Sequence, residues 1–306
     1  MKLPRGSGSA VAMFVPEGAN AEEVAKDGAA RGARWPFLEV RDLLAARGVD
    51  VPALYGEDVA RGWLLLEDLG DETLANFLIA RSERREEMYV RAVGDLARAQ
   101  AALEGLPEGS VVASRAFDEE LLSWEMHHFR EWALEARGIA LSPEDHDVFA
   151  GIVERLARRI AGWPRAFVHR DYQSRNLMVR EDGRLCWIDF QDALLGPRVY
   201  DVVALLNDSY QVFEPAFVEA RLDDYARARS LDAAVRRSIG REFDLVTVQR
   251  KLKDAGRFVF IDRVKGNGSF LKFVEPTIAK VRTSLSRLND DEDMRSLGDL
   301  LARVLR

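Results

Sequence analysis

The sequence predicts a two-lobed α+β fold, with a small strand-rich lobe over residues 1–70 and a larger helical lobe over residues 71–306. Three observations carry this. At 306 residues the chain is long enough to fold as two lobes around a substantial core. Strand-type runs cluster before Gly70, and long stretches of helical apolar periodicity follow it. One short interruption of strand and turn character, polar at both ends, breaks the helical part near its middle.

Each element has its own signal. Residues 9–15 are a β-prone run behind the turn Gly6-Ser7-Gly8 and stop at Pro16. Residues 36–47 place Phe37, Val40, Leu43 and Leu44 at helical spacing, and Gly48 supplies a C-terminal stop. Residues 53–55 and 63–67 read as strands around a turn at 58–62. Amphipathic stretches at 72–80, 84–105, 117–137 and 144–161 predict helices, as do 199–210, 214–229, 233–262 and 270–288, with a charged tail after Asn289. The interruption comprises 166–168, a polar loop, 177–179, a turn at 181–184 and 185–188, read as a hairpin.

Composition removes several function classes. With 44 basic against 51 acidic side chains and a net charge of −7, no overall field attracts nucleic acid, and no nucleic-acid partner is expected. No apolar run approaches the ~20 residues that span a bilayer, and the short stretch at 10–15 lacks a cleavage site, so no membrane partner is expected and the chain reads as cytoplasmic. The single cysteine, Cys186, excludes an internal disulfide and a cysteine-rich zinc site.

The chemistry concentrates in His169-Arg170-Asp171-Tyr172-Gln173-Ser174-Arg175-Asn176, followed thirteen positions later by Asp189-Phe190. A pattern H-R-D-x-x-x-x-N is expected by chance in fewer than about one such sequence in a thousand. Phosphoryl transfer from ATP needs an oxygen base to orient the attacking hydroxyl and hard oxygen ligands to hold Mg²⁺ on the phosphates. Asp171 and Asn176 stand at the two ends of a loop, and the hairpin after it folds back to bring Asp189 beside them. Other candidates read as structure. His127 and His128 lack an acidic pair at ligand spacing, Trp124, Phe129 and Trp132 follow core spacing, and Asp290 to Asp293 read as a solvated helix start.

Residues 169–176, Ile188-Asp189-Phe190-Gln191-Asp192 and 196–204 resemble the kinase-like phosphotransferases, the aminoglycoside phosphotransferase and choline kinase superfamily, whose fold is related to that of protein kinases. Within it, residues 37–52, 64–70, 189–192 and 249–252 are similar to the bacterial N-acetylmuramate/N-acetylglucosamine kinases of cell-wall recycling, which phosphorylate an anomeric hydroxyl. The resemblance implies a protein-kinase-like fold and an ATP- and Mg²⁺-dependent kinase for a small molecule. Asp171 would be the catalytic base, and Asn176 and Asp189 the Mg²⁺ ligands. Leu66, Glu67, Asp68 and Leu69 would form the hinge that bonds adenine. Asp192, with Gln191 beside it, would face the acceptor. Arg198 is placed either against an acidic group of the acceptor or in a salt bridge.

Two departures accompany the resemblance. Met13 stands where the family usually carries a lysine, one that the cell-wall sugar kinases, as the resemblance implies, also lack, and without that lysine Glu39 reads as a solvated carboxylate. Two strands expected before residue 9 have almost no sequence to form them, a start read as truncated at an internal Met, and Gly6-Ser7-Gly8 reads as a hairpin turn rather than a phosphate cradle. The rival readings are an aminoglycoside or choline-type kinase and, from another class, a catalytically weak pseudokinase-like binding protein. The presence of Asp171, Asn176 and Asp189 together argues against the second.

Overall fold

The computed structural model describes residues 8–15 and 35–305, so the start of the Gly6-Ser7-Gly8 turn lies outside the described residues. Strands β1 (Ala10–Phe14), β2 (Leu54–Asp58) and β3 (Trp63–Glu67) form an antiparallel sheet in the order β1-β3-β2. Its register runs from Ala10 opposite Glu67 to Phe14 opposite Trp63. Helix α1 (Pro36–Ala46) covers one face, started by Pro36, whose fixed φ suits a first turn. It stops at Gly48, with φ +77°, where Gly48 N–H donates to Ala45 and Val49 N–H to Leu44, satisfying two end carbonyls of the helix. Leu38, Leu64 and Leu66 form a small core here, with Met13 packed against it. The thioether at the lysine position thus serves packing.

The chain then becomes helical through α2 (Leu74–Ala80), α3 (Arg85–Ala102), α4 (Glu119–His128) and α5 (Pro143–Ala161). Residues 129–134 continue α4 with a wider, π-helical turn, followed by a tight turn to Gly138. Strand β4 (Arg165–Val168) leads to the polar loop, and β5 (Leu177–Val179) pairs with β6 (Leu185–Trp187) as the expected hairpin. Strand β4 is not part of that hairpin. It pairs with β7 (Leu194–Pro197), a strand that the sequence hides, because four residues containing Gly196 and Pro197 read as a turn.

Helices α6 (Tyr200–Leu206), α7 (Pro215–Ala228), α8 (Ala233–Lys265) and α9 (Val274–Arg287) complete the large core. The 33-residue α8 is buried on nearly all sides over residues 243–252. It crosses close to α4 at Gly256, where a Cβ would stand 2.5 Å from the His128 carbonyl oxygen, so no larger residue fits without moving backbone. The charged tail proves to be a helix, α10 (Glu292–Val304), with Met294, Leu297, Leu300 and Leu301 buried. Its acidic start is not simply solvated. Asp291 accepts from Met294 N–H, and Asp290, Asp291 and Asp293 pair with Arg241, Arg159 and Arg155, which clasp α10 to α5 and α8.

The strand-rich part is tied to the β5–β6 hairpin at the end of β3. Arg180 donates to both oxygens of Asp50, at 2.8 and 2.7 Å, and to both oxygens of Glu67, at 2.7 and 3.0 Å. Its guanidinium, more than any other group, lowers the Glu67 carboxyl below its ordinary range. Trp187 N–H also donates to the Asp50 carbonyl. Arg184 reaches Asp50 as well, at 2.8 Å, from a solvent-exposed position. Arg180→Ala is therefore expected to cost about 2–3 kcal/mol in urea unfolding, because two half-buried carboxylates lose a bidentate partner. Arg184→Ala is expected to cost under ~0.5 kcal/mol. Equal losses in the two variants would show that Arg180 does not hold the junction.

Candidate active site

The loop after β4 is held from beneath by one buried carboxylate. Asp201, at the start of α6, accepts from the backbone N–H of His169 at 2.6 Å and of Arg170 at 3.1 Å. Burial pushes its carboxyl up to about 7, against the opposing pull of those two amides and of Arg250. The fully buried His169 ring packs edge-on against Tyr172 and Trp187, and the Tyr172 hydroxyl donates to the Ala92 carbonyl at 2.8 Å. Two non-glycine residues in the left-handed region flank the loop, Arg170 at φ +75° and Asp189 at φ +64°. Such conformations cost on the order of 1 kcal/mol each and persist only where the surroundings impose them.

These constraints bring the expected residues together. Asn176 donates through Nδ2 to the Asp171 carbonyl at 2.9 Å and to Asp189 Oδ2 at 3.3 Å, while its own carbonyl accepts from Ile188 N–H. Gln191 Nε2 donates to Asp189 Oδ1 at 2.9 Å and to Asp192 Oδ2 at 3.4 Å. Asp171, Asn176, Asp189 and Asp192 line one cavity of about 660 Å³. Among the described residues no three His, Cys, Asp or Glu side chains form a closed metal cage. Asn176 and Asp189 carry the hard oxygen atoms that could hold a magnesium ion whose shell waters and phosphates complete, with the Asn176 amide turned so that its oxygen rather than its Nδ2 faces the ion.

Residues that sequence reasoning did not assign surround the base. Arg250, buried on α8, donates through Nη1 to the Arg170 carbonyl at 2.7 Å and through Nη2 to Asp171 Oδ1 at 3.3 Å. Burial alone would raise the Asp171 carboxyl, but the charges of Arg250, Lys253 and Arg170 outweigh it and hold the group below the ordinary carboxylate range. Lys251 donates to Asp254 at 2.8 Å and to Ser209 at 3.2 Å. Gln249 and Arg170 meet the buried Glu125 at 2.7 and 3.5 Å. The run Gln249-Arg250-Lys251 was noted only as part of a likeness. Its one independent signal is a polar triplet set directly between Val248 and Leu252 in a long helix stretch.

Other expectations need correction. Arg198 does not reach the cavity, because Glu242 on α8 takes its guanidinium at 3.0 and 2.5 Å, leaving it no role at the acceptor. Of its two expected settings, the salt bridge is the one found. Glu39 is not solvated either, since its Oε1 accepts from Val111 N–H at 2.5 Å and ties α1 to the helical part. Leu66, Glu67, Asp68 and Leu69 lie at the end of β3, outside the lining of this cavity. The Glu67 N–H donates to the Ala53 carbonyl, and the Asp68 side chain accepts from Gly70 N–H.

A loop aspartate, an asparagine five residues on and an aspartate after a hairpin, in a chain that joins a small antiparallel sheet to a large helical core, define a kinase-like small-molecule phosphotransferase. The sequence profile of the APH phosphotransferase enzyme family matches residues 5–237, and the chain belongs to that family. It is similar to the N-acetylmuramate/N-acetylglucosamine kinase of Pseudomonas aeruginosa, 33% identical over 274 residues that cover 88% of this chain and 78% of the relative. The kinase of the same name from Neisseria meningitidis serogroup B is 34% identical over 235 residues, 73% of this chain and 66% of the relative. The fold is shared with choline kinase LicA from Streptococcus pneumoniae, at TM-score 0.58 and 15% identity over 90% of this chain and 86% of that one. It is shared equally with APH(2")-IIa in its gentamicin complex, at TM-score 0.55 and 15% identity over 80% and 79% of the two chains. No helix among the described residues is long and apolar enough to cross a membrane.

Arg250 is not part of the cavity lining and touches Asp171, so any role it has in catalysis passes through that carboxylate. Its removal raises the Asp171 carboxyl, so the acid limb of the kcat/KM pH profile in Arg250→Gln is expected to move to higher pH by about one unit or more. A variant that loses activity equally at every pH, with the limb unmoved, would reduce Arg250 to a structural role.

Proposed function

We propose that this chain is an ATP-dependent sugar kinase that phosphorylates the anomeric hydroxyl of an N-acetylated amino sugar, N-acetylmuramate or N-acetylglucosamine. The observation that carries the reading is the Asp171 carboxylate, kept deprotonated by Arg250 and Lys253 on the wall of a cavity it shares with Asn176 and Asp189. An anomeric hydroxyl is more acidic than an ordinary alcohol, so a carboxylate of low basicity suffices to orient it and accept its proton. The names of the relatives supply the acceptor class.

In this mechanism Asp171 aligns the hydroxyl with the terminal phosphorus of ATP and takes its proton as the bond forms. Asn176 and Asp189 fit a magnesium ion, which when bound neutralises charge on the phosphate oxygens. Gln191 and Asp192 offer a donor and an acceptor to ring hydroxyls, and a site built from such pairs rejects analogues that lack them. The backbone at Leu66, Glu67, Asp68 and Leu69 is assigned to the adenine edge, since a strand leaving a sheet carries main-chain donors and acceptors to the cleft.

Asp171→Asn is expected to lower kcat by ~10² to 10⁴ while the KM for ATP moves by no more than a few fold, because the base is needed only as the hydroxyl attacks. Unchanged turnover would remove Asp171 from the base role. Phosphate transfer from ATP to N-acetylglucosamine, N-acetylmuramate, choline and kanamycin, with the product position read by phosphorus NMR, tests the acceptor. Phosphate on C1 of the sugars is the expected product, and efficient transfer to kanamycin or choline with none to the sugars would overturn the assignment.

A further inference from the structure

We infer that Lys253 is the cation that meets the phosphoryl group as it is transferred, so that α8 supplies the charge that the small sheet lacks; the inference rests on the ATP-dependent kinase reading above. As the acceptor oxygen bonds to the terminal phosphorus, the bond from that phosphorus to the bridging oxygen of ADP breaks and the acceptor proton passes to Asp171. The three remaining oxygens of the phosphoryl group carry negative charge throughout, and they approach a carboxylate that is held ionised. Positive charge at the same place offsets the repulsion. Strands β1, β2 and β3 contain neither lysine nor arginine, and Met13 is packed against the small core beside them.

Lys253 lines the cavity together with Asp171. It follows Arg250, which touches Asp171, by three residues, about 4.5 Å along the axis and on the same side of α8. Its charge is felt at Asp171, where with Arg250 it opposes the effect of burial. Burial works against the ammonium itself, and Tyr200, Glu125 and Asp254 around it outweigh that and keep it protonated. Its ion-pair partner is Asp254 Oδ1 at 3.5 Å, a long contact for an N–H donor. The other oxygen of Asp254 takes Lys251 at 2.8 Å and Arg250 at 3.9 Å, so three cations share one carboxylate. That leaves Lys253 with charge to spare and three donors, the compact point charge that suits phosphate oxygens. The other cations of the lining are placed differently. Arg170 turns its guanidinium to Glu125 at 3.5 Å, over the Phe117 ring, while Arg257 and Lys265 stand about 6 and 18 Å farther along the α8 axis.

The test uses the full chain with Lys253→Met, which keeps the length of the side chain without its charge, and Lys253→Arg, which keeps the charge. Turnover of ATP with N-acetylglucosamine, N-acetylmuramate, choline and kanamycin is followed from the acid limb of the pH profile to its plateau, and NMR titrations give the Kd of N-acetylglucosamine 1-phosphate and of N-acetylglucosamine. On the plateau, where Asp171 is ionised in every variant, Lys253→Met is expected to lower kcat by ~10² to 10³ and Lys253→Arg by no more than about tenfold. The sugar phosphate is expected to bind the unmodified protein about tenfold or more tighter than the sugar, with the ratio close to one in Lys253→Met and largely kept in Lys253→Arg. The ratio is taken within each protein, so a partial loss of folded material leaves it unchanged. Full turnover by Lys253→Met on the plateau overturns the inference, since Lys253 then acts only on the ionisation of Asp171. A ratio that survives in Lys253→Met, or is close to one in the unmodified protein, overturns it as well. Transfer to kanamycin or choline in place of the sugars, lost in Lys253→Met on the plateau, supports the role of Lys253 and overturns the sugar assignment. No turnover of ATP with any acceptor, and no binding of the sugar phosphate, overturns both.

Discussion

The bond between the Asp201 carboxylate and the amides of His169 and Arg170 is the constraint around which the site is arranged. A loop that turns at a non-glycine residue in the left-handed region has a better conformation elsewhere, and two amides converging on one buried acid remove that option. With residues 169 and 170 held, the Arg170 carbonyl faces Arg250, and the same guanidinium reaches Asp171. The Asp171 carboxylate is thus placed by main chain and kept charged by a neighbour. Neither Asp201 nor Arg250 lines the cavity.

How far this was legible follows from the range of each interaction. The motif from His169 to Asn176, the β5–β6 hairpin and Asp189 could be read because the groups are close in sequence and their spacing is set by one loop and one turn. The same holds for α1, whose periodicity and terminal glycine are local. Strand β7 was missed because its pairing with β4 spans about thirty residues and its own four include glycine and proline. Arg250 and Glu125 were missed for a related reason. A polar side chain inside a long helix reads as solvated until the elements that bury it are known, and here the partners lie 79 to 124 residues away in sequence. Arg198 shows the converse: its sequence neighbours lie near the site, yet α8 passes behind them and captures it through Glu242.

Helix α8 does two jobs with two parts of its length. Over residues 243–252 it is a core element, and Gln249, Arg250 and Lys251 donate hydrogen bonds to Glu125, Asp171, Asp254 and Ser209. Beyond Gly256, where it touches the α4 backbone, it emerges to form one wall of the cavity. A single helix therefore links the setting of Asp171 to the shape of the cavity.

Helix α1 and the β5–β6 hairpin fasten the small sheet from different directions. On one side Glu39 accepts from Val111, Phe37 stacks on Phe190 at 5.1 Å, and Arg47 reaches the Ala102 carbonyl. On another, Arg180 grips Asp50 and Glu67. A sheet braced in this way has little freedom to swing, so its order is established as the chain folds. Under the proposed assignment of adenine to the end of β3, the entropy of closure then belongs to folding stability, and a destabilising change in either brace is felt as weaker nucleotide affinity.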